Sequence, residues 1–155
     1  MPNYQASTRQ TLADVGLGMR VDRATSTLPQ TTQSALFTVT GGRVAITAIV
    51  GEVTTVIETK ANDTKLVANP TTGTDVDLCT VLDITADEVG CLYGITGTVG
   101  DAMIGADAGA TQLPANPVVV NAGTVDLNCA ASNTGSVKWS IFYLPIDDGA
   151  YVTAA

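Results

Sequence analysis

The feature that most limits what this chain can fold into is the close alternation of short β-branched runs with turn residues from Leu36 onward. Leu36–Thr40 is followed by Gly41-Gly42 and then by Arg43–Val50. Branched side chains pack well on a pleated surface, and a glycine pair tolerates the positive φ angles of a tight turn, so this stretch predicts a β-hairpin. Repetition of the pattern predicts an all-β domain of about eight short strands, a β-sandwich with a jelly-roll-like arrangement.

Three further segments of this region have distinct patterns. Residues Val76–Leu82 alternate between two faces and predict one strand. Thr85-Ala86-Asp87-Glu88 has the spacing of a capping box and predicts a brief helical turn; the alternative, a calcium site at these acids, lacks the spacing of an EF-hand. Gly100–Pro114 is rich in glycine, alanine and aspartate, and predicts a long loop with an exposed contact surface.

The last third of the chain predicts two more hairpins and ends in a strand, Ser136–Ile146, that is apolar on both faces. One face carries Trp139, Ile141 and Tyr143, and the other carries Ser140, Phe142 and Leu144. A strand that is apolar on both faces is covered on both. We therefore predict a subunit interface at Trp139, Ile141, Phe142 and Tyr143, with the N-terminal residues as an alternative cover. A carbohydrate-binding platform at Trp139 and Tyr143 is the competing interpretation.

The first 35 residues differ from the rest in composition and charge. They are rich in Gln, Thr, Ser and Ala and carry a net charge of +1, whereas residues 36–155 carry −9. We therefore divide the chain into an extended N-terminal arm, residues 1–35, and a β-sandwich domain, residues 36–155. The arm arginines, Arg9, Arg20 and Arg23, are predicted to contact an acidic surface on a neighbouring protein; a loose terminus without a partner is the alternative.

Charge and hydropathy exclude several classes of function. The net charge of −8 includes only seven basic residues, too few and too scattered for the clustered cations that bind nucleic acid or an anionic membrane. No apolar run approaches the roughly 18 residues of a transmembrane helix, and the first residues lack the pattern of a signal peptide. We therefore expect a soluble protein, made in a cytosol, with neither nucleic acid nor membrane as its partner.

The absence of histidine removes most common catalytic and metal-binding arrangements. It excludes a Ser-His-Asp triad, a Cys-His dyad and a histidine-ligated metal site. No phosphate-binding loop or dinucleotide motif is present. The three cysteines, Cys79, Cys91 and Cys129, form no C-x-x-C pair and stand in apolar segments, so we expect buried thiols rather than a zinc site. The sequence therefore predicts no enzyme activity, no metal and no cofactor.

Leu36–Val44, Gly51–Ile57 and Gly135–Pro145 resemble segments of small structural proteins of tailed bacteriophages. The resemblance lies in the Thr-, Val-, Ala- and Gly-rich strands and the polar N-terminal arm, without a fixed motif. It implies an all-β subunit, commonly trimeric, of the capsid decoration (cement) type, which bridges capsomers of the major capsid protein lattice and stabilises the head. The implied location is the capsid surface of the virion, after assembly in the host cytoplasm. On this hypothesis the arm contacts the capsid or an adjacent subunit.

Three other roles remain open on the sequence. A receptor-binding module, or another tail or fibre β-domain of a phage particle, would use the same architecture with Gly100–Pro114 as its recognition surface. A tail-tube or head-completion protein would share the fold and differ in its copy number. A trimeric β-rich nucleotide hydrolase would need phosphate-binding glycine and arginine motifs that the sequence lacks.

Overall fold

A computed structural model of the chain describes residues 16–106 and 109–155. In these residues the regular elements are twelve β-strands, which confirms the all-β prediction. The strands are β1 (Met19–Thr27), β2 (Gln33–Thr40), β3 (Val44–Thr55), β4 (Asp63–Pro70), β5 (Val76–Asp77), β6 (Leu82–Asp83), β7 (Leu92–Gly94), β8 (Ile104–Ala106), β9 (Val118–Val120), β10 (Gly123–Cys129), β11 (Ser136–Pro145) and β12 (Tyr151–Ala154).

The strands form two six-stranded sheets, called sheet A and sheet B below, and the paired strands within each sheet are antiparallel. Sheet A has the order β1-β11-β3-β7-β8, and β9 also pairs with β3. Sheet B has the order β12-β2-β10-β4-β5, and β6 also pairs with β4. The long strand β3 pairs with β11 along one edge and with β7 and β9 along the other, so it organises sheet A.

Both sheets contribute to one hydrophobic core. Its largest fully buried side chains include Trp139 and Ile141 of β11, Phe37 of β2 and Leu66 of β4. Successive side chains of a strand point to opposite faces, so alternate apolar residues bring one face of each sheet into the core. Burial of a side chain of this size stabilises the fold by about 1.5–3 kcal/mol. The core is therefore the main source of stability.

The predicted hairpins are wrong, because the two strands that flank each of the predicted turns lie in different sheets. Gly41-Gly42 leads from β2 of sheet B to β3 of sheet A, and β9 to β10 and β10 to β11 are also crossings between sheets. Gly41 and Gly42 have φ angles of 82° and 144°, and a Cβ at Gly41 would lie 2.6 Å from the carbonyl oxygen of Gly149. A glycine pair therefore fits this crossing as well as it fits a hairpin.

The strand predicted over Val76–Leu82 is interrupted. Its two ends are the short strands β5 and β6, which both pair with β4. Leu78 and Cys79 lie between them and are both buried, although consecutive residues of a strand point to opposite faces. The backbone bends at Leu78 and Cys79, so both side chains enter the core, which strict alternation does not allow.

Two predictions for the connecting segments also need correction. Thr85–Glu88 forms a turn without a helix, and Ala86 has a φ of 60°, which is outside the right-handed helical region. Gly100–Pro114 is not one continuous loop, because it contains β8, which pairs with β7. Met103 just before β8 is buried, and this apolar anchor holds the segment against the core.

The structure describes the predicted N-terminal arm from Gly16 onward. Met19–Thr27 is β1, an edge strand of sheet A that pairs with β11, and β2 begins at Gln33, ahead of the predicted start of the domain. Gly18 has a φ of 86° and lies so close to the Tyr143 carbonyl group that a Cβ there would collide with it. Residues 1–15 lie outside the described residues, and the division of the chain at residue 35 stays a prediction.

Candidate functional site

In the single chain, strand β11 has one buried face and one partly accessible face, and the cover predicted for the second face stays a prediction. Val137, Trp139, Ile141 and Tyr143 are buried, whereas Leu144 on the opposite face is 43% exposed. Lys138 is also exposed, and Ser140 and Phe142 are half-buried. The accessible face lies on the outside of sheet A, and of the four predicted interface residues Phe142 is the one on it.

Three of the four predicted interface residues are enclosed by the chain's own core. Trp139 stacks on Tyr93 with ring centres 6.3 Å apart, and Ile141 is fully buried. Tyr143 is 4% exposed and donates its hydroxyl toward the sulfur of Met19 at 3.9 Å. A second copy of the chain could reach these side chains only by opening the core. The same burial leaves no accessible ring for the carbohydrate platform considered above.

Phe142 is the predicted interface residue that faces outward. The guanidinium carbon of Arg20 lies 5.9 Å from the centre of its ring, within the range of a cation–π contact. Arg20 also pairs with Asp22, with 2.7 Å between Nε and Oδ1. Ser140 donates its hydroxyl to that carboxylate at 2.6 Å. This hydrogen bond is the main reason why the pKa of Asp22 is lowered; burial opposes it and Arg20 adds to it.

The outside of sheet A carries a row of apolar residues on β3, β7 and β11 that extends from Leu92 to Leu144. We call this the outer patch and define it as Val50, Leu92, Phe142 and Leu144. The strand register places Val50 opposite Ser140, and places Leu92 beside Glu52, which is itself opposite Lys138. Lys138 Nζ lies 3.0 Å from Glu52 Oε2. The outer patch therefore has two ion pairs beside it, Arg20–Asp22 and Lys138–Glu52.

The three predicted arm contacts are not brought together on one surface of the described chain. Arg9 lies outside the described residues. Arg20 lies on the outer face of β1, opposite Phe142. Arg23 lies on the inner face of the same strand, opposite the buried Trp139. One flat partner surface could not contact both Arg20 and Arg23, and the contact of the arm with a neighbour stays a prediction.

A cleft between β1 and β2 is the feature that sequence reasoning missed. Its volume is about 270 Å³, and Arg23 and Trp139 are among its lining residues. The available signal was the alternation of Val21 with Arg23, which puts a charged residue on a face that turns toward the core. Residues around Arg23 are mostly polar in the sequence. The alternation of Val21 with Arg23 therefore indicates an inward-facing charge only when the pairing of β1 with β11 is known.

The three cysteines are buried thiols, as predicted. Burial raises the pKa of Cys79 and Cys129, because an apolar environment disfavours the thiolate. A reactive cysteine shows the opposite shift, since a lowered pKa increases the fraction of nucleophilic thiolate. These two thiols therefore contribute to packing as small apolar side chains.

Within residues 16–106 and 109–155, no group of three or more His, Cys, Asp or Glu side chains is arranged to hold a metal ion. The same part of the chain contains no helix with the length and apolar character that a membrane crossing requires. Comparisons of this chain with protein-family models, with curated proteins and with solved structures found no match.

Proposed function

We propose that this chain is a structural protein of a tailed-phage particle, a capsid decoration (cement) protein that self-associates as a trimer and bridges capsomers of the major capsid protein lattice. The observation that supports the proposal most is the outer patch, where Phe142 lies under Arg20 of one ion pair and Leu92 lies beside Glu52 of another. An apolar centre with a charged rim is the usual anatomy of a protein interface. A cement protein needs contact area of this kind rather than a reaction centre.

The proposal includes a finer description of the fold, a β-sandwich of jelly-roll type with an extended N-terminal arm. Two six-stranded sheets with a shared core support it, as does the repeated crossing of the chain from one sheet to the other. In a sandwich the inner faces of both sheets are buried in the core, so contacts with other proteins are made by the outer faces, the free edges and the loops. Phe142 and Leu144 have that position on sheet A.

The burial of Trp139, Ile141 and Tyr143 narrows the proposed trimer contact to the outer patch. Arg9 remains the proposed arm contact to the lattice, and Arg20 would belong to the rim of the trimer contact because it covers Phe142. Charged groups at a rim mainly set the register and the association rate, whereas the apolar centre supplies most of the affinity. Phe142 is therefore the residue to change.

Light scattering coupled to size exclusion tests the self-association of the full chain at micromolar concentration. We expect a mass of about 47 kDa, three times the chain mass of 15.8 kDa. Phe142→Glu should give a folded monomer, because it removes the apolar ring from the centre of the contact and puts there a charged group that costs free energy to take out of water. Thr153→Glu is the matched control, since it adds the same charge on an exposed residue of sheet B and should leave the trimer intact.

A monomeric full chain would overturn the trimer, and so would a Phe142→Glu variant that stays trimeric with an unchanged circular dichroism spectrum. The copy number of the protein in particles that carry it then separates the roles. A number comparable to that of the major capsid protein supports decoration. A number limited to one vertex or one tail contradicts it and favours the receptor-binding, tail or fibre alternative.

A further inference from the structure

An apolar groove opens between β9 of sheet A and β5 of sheet B. It measures about 270 Å³ and is bordered by Val119 of β9, Val76 of β5 and Val99 of the connection between β7 and β8. We call it the valine groove. The three valines are 56%, 54% and 46% exposed. The apolar walls of the groove are therefore accessible from the surface, and a further apolar group can cover them.

The floor of the valine groove belongs to the hydrophobic core. Leu78 and Val120 line it at 2% and 5% exposure. Among the described residues that line the groove, Asn69 and Asn121 carry the polar side chains and none carries a charge. A charged group that leaves water needs a partner, and these walls offer it none. The groove therefore suits an aliphatic side chain.

The first described residues follow a path that leads toward this groove. Gly18 lies against β11, where a Cβ would be 2.9 Å from a methyl carbon of Leu144. The carbonyl oxygen of Leu17 accepts a hydrogen bond from the hydroxyl of Thr47 in β3. Traced backward from β1, the backbone therefore passes β11 and reaches β3. The next strand in this direction is β9, which borders the valine groove.

The residues that precede Gly16 are long enough to reach the groove. Val119 lies opposite Ala45, so it is one strand and two residues away from Thr47. With strands about 4.8 Å apart and a rise of about 3.3 Å per residue, this separation is about 8 Å. The five residues back from Leu17 to Leu12 span up to about 17 Å when extended. Leu12 and Val15 are the aliphatic residues of this stretch larger than alanine.

Apolar side chains also line the way from β11 to the groove. Leu144 of β11 lies opposite Ala45 of β3, which lies opposite Val119 of β9. Directly opposed residues of antiparallel strands share a face, so these three side chains form a row on the outside of sheet A. An apolar segment that leaves Gly18 can therefore stay in contact with apolar side chains until it reaches the groove.

We propose that the valine groove is the docking site of the chain's own residues 12–15, with the side chain of Leu12 between Val76 and Val119. A segment joined by a short linker has an effective concentration of about 1 mM. An intrinsic dissociation constant of about 0.1 mM then keeps the groove occupied in about nine of ten molecules. The contact therefore needs little intrinsic affinity. This inference does not rest on the proposed cement function.

Two other occupants would fit the same walls, namely the corresponding segment of a second copy and an apolar stretch of another protein. The hydrogen bond between Leu17 and Thr47 favours the chain's own segment, because it holds that segment next to β9 before any partner is present. The three occupants differ in a measurable way. The chain's own segment protects the groove at any protein concentration, a second copy protects it only at high concentration, and another protein leaves it open in purified material.

The reactivity of a cysteine placed in the groove tests the proposal with the full chain. The three native cysteines are buried, so a bulky maleimide reports on the introduced thiol of Val76→Cys. Val56→Cys is the matched control, because Val56 is 52% exposed against 54% for Val76 and follows β3 at the end far from Thr47. We expect Val76→Cys to react about tenfold more slowly than Val56→Cys, as mass spectrometry would measure.

A second substitution should release the groove. Leu12→Glu puts a charge where the groove offers no partner, so it should raise the labelling rate of Val76→Cys by about tenfold and leave that of Val56→Cys unchanged. Thr8→Glu adds the same charge to the same segment at a polar residue and should leave Val76→Cys slow. Circular dichroism reports the folding of each variant, and Val119→Cys replaces Val76→Cys if the latter fails to fold.

Three results would overturn the proposal. The first is labelling of Val76→Cys as fast as that of Val56→Cys, which would leave the groove open for another protein. The second is slow labelling that Leu12→Glu does not accelerate in the folded variant. The third is slow labelling that becomes fast on dilution from about 100 to about 1 μM, since mass action would then assign the segment to a second copy.

Discussion

Gly51 is the position where adding a single methyl group should have the clearest effect on stability. It lies in β3 between Trp139 of β11 and Tyr93 of β7, which are its partners on the two sides. The two aromatic side chains stack over it. A Cβ at this position would be 2.8 Å from two carbon atoms of the Trp139 ring, closer than a normal van der Waals contact. Gly51→Ala therefore forces the indole to move.

Two opposing effects set the size of the change. Extra methyl groups in a well-packed core cost about 1–3 kcal/mol when neighbours must shift. Replacing glycine by alanine also lowers the entropy of the unfolded chain, which favours folding by about 0.4–1 kcal/mol. Trp139 is 2% exposed and stacked on Tyr93, so the ring has little room to retreat. We expect Gly51→Ala to lower the free energy of unfolding by about 1–2 kcal/mol.

Urea unfolding followed by tryptophan fluorescence measures this change, because Trp139 is the only tryptophan and is the side chain that must move. Denaturant slopes in urea are about 1–3 kcal/mol per molar. With a slope near about 2, the midpoint should fall by about 0.5–1 M. The native emission spectrum of Gly51→Ala should also differ from that of the wild type, since the environment of the ring changes.

Gly100→Ala is the matched control for this substitution. No atom lies within 4 Å of a Cβ built at Gly100, and its φ is not in the left-handed region. The same chemical change should there be neutral or stabilising by up to about 1 kcal/mol. A Gly51→Ala variant with a midpoint at or above that of Gly100→Ala, and with the emission of the wild type, would refute the packing argument.

Three further outcomes follow from individual contacts. Hydrogen bonds from Arg43 lower the pKa of Asp147 to about 2 from 3.8. Their stabilising effect is therefore complete above pH 3.8 and disappears as the pH falls through about 2. In an NMR titration, Arg43→Gln should return the pKa of Asp147 toward 3.8, and the control Arg20→Gln should leave it low. Asn62 is fully buried and exchanges two hydrogen bonds with the backbone of Ala131. Asn62→Ala should therefore lower the free energy of unfolding by about 1–3 kcal/mol. An unchanged midpoint of urea unfolding would contradict this. The three cysteines are buried, so a thiol reagent should modify them only as fast as the chain opens, and rapid labelling of the native protein would count against the described core.

The strand content of the chain could be predicted from its residues, but the partners of the strands could not. β-Branched runs such as Leu36–Thr40 and Arg43–Val50 correspond to β2 and β3. The sequence predicts a hairpin at Gly41-Gly42 because turn residues report local φ angles and carry no information about which sheet receives the next strand. Pairing is decided by burial over long distances in the chain, which local alternation does not encode.

The candidate site could be predicted in part for the same reason. The two-sided apolar character of β11 marked Phe142 as a residue in need of a cover, and its outward position agrees with that pattern. The sequence alone also places Trp139 at an interface, because it does not tell which face of a strand meets the core. The place of Arg23 depends on the pairing of β1 with β11, which connects the two ends of the chain and has no local signature.

The distribution of consecutive strands between the two sheets also affects how the protein can fold during its synthesis. Strand β2 ends at Thr40, and its neighbours in sheet B are β10 and β12, the first of which is complete only at Cys129. At about 5–20 residues per second, β2 waits on the order of 5–20 s for a partner to leave the ribosome. During that time its backbone groups are a template for pairing with other nascent chains. A message cut short before β10 would thus yield aggregation-prone strands rather than a smaller folded domain.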